Sequence, residues 1–201
     1  MKRAGLLAAA AIGVAALWWR RNPSACPYNQ RYWVQAPHPF ITRDRLREVL
    51  APSAGERVLE IGPGTGYYTL DLAAWVEPGG TVEIFDLQQE FLDHTMRRGA
   101  ERGLENVVPT QGDATALPYE DASMDAVALN AVLGEIPEPT AALREIRRVL
   151  KPGGRLLVGE LFGDPHFTTQ AALRRQGGEA GLDYHEDSGY WFGYVARLTP
   201  A

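Results

Sequence analysis

The chain has 201 residues, 45% of them hydrophobic, which suits one domain with a sizeable core and is too short for two ordinary ones. Its formal net charge is −5. Four of its 20 Lys and Arg (Lys2, Arg3, Arg20, Arg21) sit in an N-terminal stretch without acids, so the remaining body, which holds all 25 Asp and Glu, is more acidic still. That balance argues against nucleic acid as a partner, because phosphate binding draws on clustered cations. The single cysteine, Cys26, cannot form an internal disulfide, and no Cys/His spacing indicates a metal site, so the body reads as built for a reducing compartment.

The first element in chain order is an uncharged run from Ala4 to Trp19, inside a segment spanning 1–21. As a helix at 1.5 Å per residue, these 16 residues would reach about 24 Å, a little short of a ~30 Å hydrocarbon core. Trp18 and Trp19 followed by Arg20 and Arg21 look like an interfacial belt, so residues 4–19 read as a retained membrane anchor. Two other readings stay open. One is a cleaved signal, with Lys2 and Arg3 before the apolar run and a lipoprotein-like site at Pro23-Ser24-Ala25-Cys26; the arginine pair and Pro23 fit such a site poorly. The other is a plain buried or disordered terminus.

Residues 22–40 are rich in Pro and aromatics and carry no helical or strand periodicity, so they read as a linker that packs onto the rest. A domain over 41–201 follows. Thr42 can cap a helix that ends before Pro52. Short apolar runs then alternate with helical patterns: strand Arg57 to Ile61, helix Tyr67 to Val76, strand Thr81 to Asp86, helix Gln88 to Arg102 and strand Asn106 to Gln111. They continue as strand Met124 to Asn130, helix Thr140 to Leu150, strand Gly154 to Phe162 and a helix near Thr168 to Ala180. Two last strands, Leu182 to Glu186 and Trp191 to Leu198, are expected to turn around Ser188-Gly189. The order predicts an α/β fold: a Rossmann-like, doubly wound, seven-stranded, mostly parallel sheet in a three-layer αβα sandwich, with an antiparallel C-terminal hairpin.

Chemistry concentrates in Glu60-Ile61-Gly62-Pro63-Gly64-Thr65-Gly66, between a strand and a helix. The spacing is G-x-G-x-G, and Tyr67 stands where a dinucleotide fingerprint needs its third glycine. No Gly-Lys-Ser/Thr follows, so a P-loop is excluded as well. An acid two residues before the first glycine repels pyrophosphate and suits a cation. Asp86 closes the next strand, where a carboxylate can accept both hydroxyls of a ribose, and the apolar Leu87 follows it. Asp113 and Ala114 follow the third strand, where a carboxylate and an N–H can meet an amino group and a ring nitrogen. Singly, these acids could be a helix-dipole partner, a cap and a turn former; together at one sheet edge they imply S-adenosylmethionine.

The same residues resemble the class I S-adenosylmethionine-dependent methyltransferases. Leu117-Pro118-Tyr119, Ser123-Met124-Asp125-Ala126 and the run from Leu143 to Gly154 are similar to the branch acting on small molecules and lipid quinones. The resemblance implies cofactor contacts at Glu60, Gly62, Pro63, Gly64, Gly66, Asp86, Leu87, Asp113, Ala114 and Asn130. It also implies methyl transfer by in-line displacement to a small or lipophilic acceptor, in which positioning matters more than a dedicated acid or base. If the acceptor must lose a proton, His166, Glu135 and Glu160 follow strands four and five as candidates. No Asn-Pro-Pro-Tyr/Trp pattern starts at Asn130, which argues against nucleic acid bases as acceptors. Tyr28, Trp33, His38 and Phe40, with Tyr190, Trp191 and Phe192, could line an acceptor site or simply belong to the core. A cytosolic cofactor places an anchored domain on the cytoplasmic side; a soluble cytoplasmic protein is the other reading. The alternative to an enzyme is a tethered methyltransferase-like scaffold without turnover. The oligomeric state is not expressed in the sequence.

Overall fold

The computed structural model describes residues 22–35 and 38–201. Seven strands, β1 (Arg57–Ile61), β2 (Thr81–Asp86), β3 (Val107–Gln111), β4 (Met124–Asn130), β5 (Leu150–Leu161), β6 (Leu182–Tyr190) and β7 (Gly193–Pro200), form one sheet in the order β3-β2-β1-β4-β5-β7-β6. The strands from β3 to β5 pair parallel, and β7 runs antiparallel to both β5 and β6. Helices are α1 (Arg31–Val34), α2 (Arg43–Leu50), α3 (Thr69–Trp75), α4 (Gln89–Glu101), α5 (Pro139–Val149) and α6 (Gln170–Glu179).

Alternation along buried strands divides the core between the two faces. Val58, Ala126 and Ala128 pack with Leu46, Leu50, Leu72 and Leu92 of α2, α3 and α4. Their neighbours Leu59, Val127 and Leu129 pack with Leu143, Ile146 and Leu173 of α5 and α6. The reversal of strand order beside β1 puts the carboxyl ends of β1, β2 and β4 around one crevice, where open α/β sheets take ligands. Thr42 caps α2 as expected, its hydroxyl accepting from Arg45 N at 3.3 Å.

Three expectations need correction. The last hairpin turns at Trp191-Phe192, because Ser188 and Gly189 are paired with Val195 and Tyr194 inside the ladder. Gly189 serves close approach there: a Cβ would lie 2.4 Å from the Gly193 carbonyl oxygen. β5 begins at Leu150, and the Pro152-Gly153 turn is absorbed as a register shift between the pairs Met124↔Leu150 and Ala126↔Arg155. Finally, the Pro-rich lead-in contains helix: a 3-10 turn (Tyr28–Gln30) runs into α1. So short a piece shows no period and is held by tertiary bonds.

Among the described residues no helix is long and apolar enough to cross a membrane. The run 4–19 behind the anchor expectation lies outside the described residues, as does Pro37 of the lead-in.

Candidate active site

The loop after β1 turns on three glycines with positive φ: Gly62 at +70°, Gly64 at +56° and Gly66 at +77°. Each also admits a neighbour. A Cβ on Gly62 would stand 2.4 Å from Val132, on Gly64 2.5 Å from Val34, and on Gly66 3.0 Å from Thr95. The loop is therefore sealed by protein on its side-chain aspects, and a ligand meets its backbone. Thr95 Oγ1 donates to the Gly64 carbonyl at 3.1 Å and Arg98 to the Thr65 carbonyl at 2.6 Å, which fixes the loop against α4.

Glu60 lies under this loop, on the sheet face that carries Val58, and is buried. Its Oε2 accepts from Thr69 Oγ1 at 2.5 Å, tying β1 to the first residue of α3. Burial, opposed by that bond and assisted by Asp71, pushes its carboxyl up to about 7. Asp86 closes β2 with Oδ1 accepting from Gln88 N at 2.8 Å, and burial raises it to about 6. Leu87 beside it is exposed. Asp113 is turned into its own loop, Oδ1 accepting from Thr115 N at 2.9 Å and Thr115 Oγ1 at 2.8 Å, and these bonds hold it below the usual carboxylate range. Ala114 is buried in the core, and the Gly112 N–H donates to the Asp86 carbonyl at 3.0 Å, which joins the ends of β2 and β3.

On the other side of the crevice Ala131 takes a left-handed φ of 56°, unusual for a residue with a Cβ. This turn follows Asn130 and carries Val132 onto Gly62. Both amide atoms of Asn130 are buried without a hydrogen-bond partner among the described residues. Glu135 closes a 3-10 turn (Leu133–Glu135), its Oε2 accepting from Cys26 N at 3.2 Å. Burial, helped by the charges of Asp164 and Asp86, drives it up to about 8. Glu160 is buried at the end of β5; Oε2 accepts from Thr168 N at 3.0 Å, while Oε1 has no partner among the described residues. Its carboxyl is raised well above normal by burial, then by Asp164 and Glu135. His166 is buried beside them, its backbone N–H donating to Asp164 Oδ1 at 2.7 Å, and it lines a cavity of about 260 Å³ with Gly134, Ile136 and Phe167.

The structure thus groups Asp86, Glu135, Glu160 and His166 at the ends of β2, β4 and β5, and sets Glu60 apart beneath α3. Two participants were missed in the sequence. Asp164 couples Glu135 to Glu160, and its place two residues before His166 was the available signal. Gln88 clamps the lead-in: Nε2 donates to the Cys26 carbonyl at 2.9 Å and Oε1 accepts from Tyr28 N at 3.1 Å. No local pattern announces a partner some 60 residues away. Tyr28 completes the strap, its hydroxyl 3.0 Å from His94 Nδ1 and its ring edge-on to Phe91. Among the described residues, no group of three or more His, Cys, Asp or Glu is placed to hold a metal ion.

A family model described as a methyltransferase domain matches residues 59–158. A demethylmenaquinone methyltransferase of Clavibacter sepedonicus is 34% identical over 164 residues, 82% of this chain and 61% of that protein. The chain belongs to the class I S-adenosylmethionine-dependent methyltransferases. Among solved structures, a SAM dependent methyltransferase from Aquifex aeolicus superposes with TM-score 0.79 over 87% of this chain and 98% of that one, at 18% identity. The [4+2]-cyclase SpnF shares the fold with TM-score 0.69 over 79% of this chain and 80% of that one, at 22% identity. One fold therefore hosts more than one reaction, and the acceptor chemistry must be argued from side chains. This methyltransferase chain spans between a third and about three fifths of the length of the first curated relatives it matches.

The residues present fit the family's cofactor. The glycine turn leaves backbone facing the crevice, Asp86 and the exposed Leu87 supply a carboxylate beside an apolar face, and the buried Asn130 amide and Glu160 Oε1 lack partners among the described residues. Carboxyls raised first by burial, and at Glu135 and Glu160 further by neighbouring acids, favour a cationic guest, whose charge would offset the cost of ionising them there.

Proposed function

We propose that the chain transfers the methyl group of S-adenosylmethionine to a lipophilic acceptor, a reduced quinone or a molecule of similar ring chemistry, held at the carboxyl ends of β4 and β5. The observation that carries this reading is the coupled carboxyl group of Glu135, Asp164 and Glu160 opposite Asp86. The name of the Clavibacter relative supports the acceptor class. Asp86 would accept the ribose hydroxyls, Leu87 and Ala114 would bracket the adenine with Asp113, and the backbone of Gly62, Pro63, Gly64 and Gly66 would face the methionine portion. Glu60 would act from beneath, keeping negative charge under the loop and Thr69 in place, and Asn130 would offer its amide at the junction of the two ligands.

S-adenosylmethionine, when bound, supplies an electrophilic methyl carbon on a sulfonium centre. Burial, with the charges of Asp164 and Asp86, favours the protonated carboxyl at Glu135, whose Oε2 accepts from Cys26 N. A cation in the crevice favours loss of that proton, leaving a carboxylate able to take the proton that the acceptor gives up as the new bond to carbon forms. Glu160 and His166 would orient the acceptor and exclude water from the buried side. No observation favours a tethered scaffold without turnover.

We also infer that 1–21 is a retained anchor, 22–40 a linker that straps onto the domain and 41–201 the catalytic domain, facing the cytoplasm as a cytosolic cofactor requires. The test is calorimetric titration of the full chain with S-adenosylmethionine and S-adenosylhomocysteine, with NAD as control, then methylation assays on short-chain quinols and hydrophilic amines. Micromolar binding of both sulfur ligands and methylation of the quinol are expected; binding of neither overturns the reading, and activity confined to hydrophilic amines overturns the acceptor class.

A further inference from the structure

Seven large hydrophobic side chains are exposed among the described residues: Tyr32, Trp33, Leu87, Val108, Phe162, Tyr190 and Trp191. Val108 lies in the middle of the edge strand β3. The other six lie on the carboxyl edge of the sheet: Leu87 after β2, Phe162 after β5, Tyr190 and Trp191 at the β6/β7 turn, and Tyr32 and Trp33 on the strap above the crevice. Trp33 is 77% exposed and Trp191 71%, far more than folding alone explains for the largest apolar rings on one side of a molecule.

These rings form a supported surface. Phe162 and Trp191 meet edge to face at 5.9 Å, Tyr190 and Phe192 stack at 5.3 Å, and Phe40 from the lead-in meets Phe192 at 5.0 Å. Cations are interleaved: the Arg31 guanidinium lies 4.6 Å from the Tyr32 ring centre, and Arg45 lies 5.9 Å from that of Tyr190. Beside the glycine loop a cavity of about 560 Å³ is lined by Arg97 and Glu101, by Arg43, which pairs with Asp71, and by Arg98, which donates to the Thr65 carbonyl. The Arg97 side chain makes no hydrogen bond or ion pair with any described residue. Tryptophan, tyrosine and arginine together are the composition of a membrane interface, where rings sit at headgroup depth and guanidinium groups meet phosphates.

The chain itself says which partner this surface fits. The strap is fixed to the carboxyl edge from Cys26 onward, by Glu135 and Gln88, and the uncharged run Ala4–Trp19 lies immediately upstream of Asn22. The seven residue steps from Trp19 to Cys26, Arg20 and Arg21 included, can span at most about 24 Å when extended. Lipid that holds the run therefore holds this edge close.

We infer that the carboxyl edge is a bilayer-docking surface, in which Trp33, Phe162, Tyr190 and Trp191 enter the interface of a phospholipid membrane and the neighbouring arginines meet its phosphates. The active-site crevice then opens onto the bilayer, and an acceptor dissolved there reaches Glu135 without crossing water. This purpose rests on the proposed lipophilic acceptor, whereas the docking can be read with no acceptor present.

The test uses the full chain with Trp18→Phe and Trp19→Phe, so that emission comes from Trp33, Trp75 and Trp191. It is mixed with vesicles of phosphatidylcholine and phosphatidylglycerol carrying brominated acyl chains, which quench indole at short range. Strong quenching is expected, falling to the level of Trp75 alone once Trp33→Phe and Trp191→Phe are added. In a parallel variant, Phe162→Ser with Tyr190→Ser should weaken vesicle binding by about tenfold, since it removes two aromatic contacts. Titration with S-adenosylmethionine in vesicle-free detergent solution checks that each variant is folded, and its failure would count against the proposed function alone. Vesicle binding with unquenched Trp33 and Trp191 overturns the docking. So does the absence of quenching together with concentration-dependent self-association, which would make the surface an interface between copies.

Discussion

The two edges of the sheet are built on opposite electrostatic principles. At the amino edge every buried or half-buried acid has a cation. Arg155, buried in β5 just after its register shift, grips Glu56 through two bonds of 2.9 and 2.6 Å, while also donating to the carbonyls of Leu50 and Ala51. Arg57 holds Glu83 at 2.8 Å and Lys151 holds Asp125 at 2.7 Å. Asp125 and Glu145 are consequently held below their ordinary carboxylate values, the first by bonds to Arg57 N and Lys151 that outweigh its burial, the second mainly by Arg148. At the carboxyl edge Glu60, Asp86, Glu135, Glu160 and Asp164 are pushed upward, chiefly by burial and several by one another; the exposed Asp113 is the exception. One edge is complete as it stands. The other is arranged for a guest that brings positive charge.

The largest expected effect is at the complete edge. Arg155→Met removes one partner of a buried pair and strands Glu56 and two helix-end carbonyls, so unfolding free energy should fall by about 3 kcal/mol or more in urea titrations. Cofactor affinity of the molecules that remain folded should stay as it was. A loss of affinity without loss of stability would erase the distinction between the edges.

Asp86→Ala is the converse. Removing an acid that costs energy to bury should leave thermal stability within a degree or two, while S-adenosylmethionine binding weakens by about 2 to 3 kcal/mol, the worth of two hydrogen bonds to a charged group. Calorimetry and a melting curve on the same sample separate the two readings.

The edges should also answer pH in opposite directions. Acids held low contribute stability that is present at neutral pH and lost as pH falls through their depressed values, which applies to Asp125 and Glu145. Acids held high contribute in the other sense: relative to ordinary values of 4.5 and 3.8, Glu60 near 7, Asp86 near 6 and Glu135 near 8 favour the folded state most at low pH. That contribution is lost as pH rises towards 8. Urea midpoints should therefore decline between pH 5.5 and 8.5, and Glu135→Gln should flatten the upper part of the decline. Cofactor affinity should move the other way, rising by roughly tenfold over the same interval as deprotonated carboxyls receive the cation.

The comparison also explains what could be read in advance. Strand positions follow from alternation such as Val58/Leu59 and Ala126/Val127, because each face is covered by helices, and the acids at strand ends stand out against apolar neighbours. What escaped was set by distance in sequence. Gln88 looks like the start of a helix, and only the fold brings it to the Cys26 carbonyl. Gly189 reads as a turn residue, yet its lack of a side chain serves the Tyr194 backbone across the ladder. The positive φ of Ala131 has no residue-type signature at all.

Glu60 tests the smallest and most specific part of this contrast, since it belongs to the charged-guest edge but touches no other member of the carboxyl cluster. Among the described residues, the one hydrogen-bond donor to its carboxyl is the Thr69 hydroxyl, which opposes the upward push of burial. Thr69→Val keeps the shape at a fully buried position and deletes that donor, so the Glu60 carboxyl should rise further above 7. Stability should fall by about 1 kcal/mol, one buried hydrogen bond, mainly above neutral pH where the carboxylate is the form deprived of its partner. If Glu60 supports the cation from beneath the loop, the rise of cofactor affinity with pH should shift upward by about the same margin, because its charge appears later. If Glu60 only ties β1 to α3, stability should change while the affinity profile stays in place. Calorimetric titrations of the full-length Thr69→Val variant at several pH values, run in two buffers of different ionisation enthalpy, count the protons released on binding and decide between the two roles.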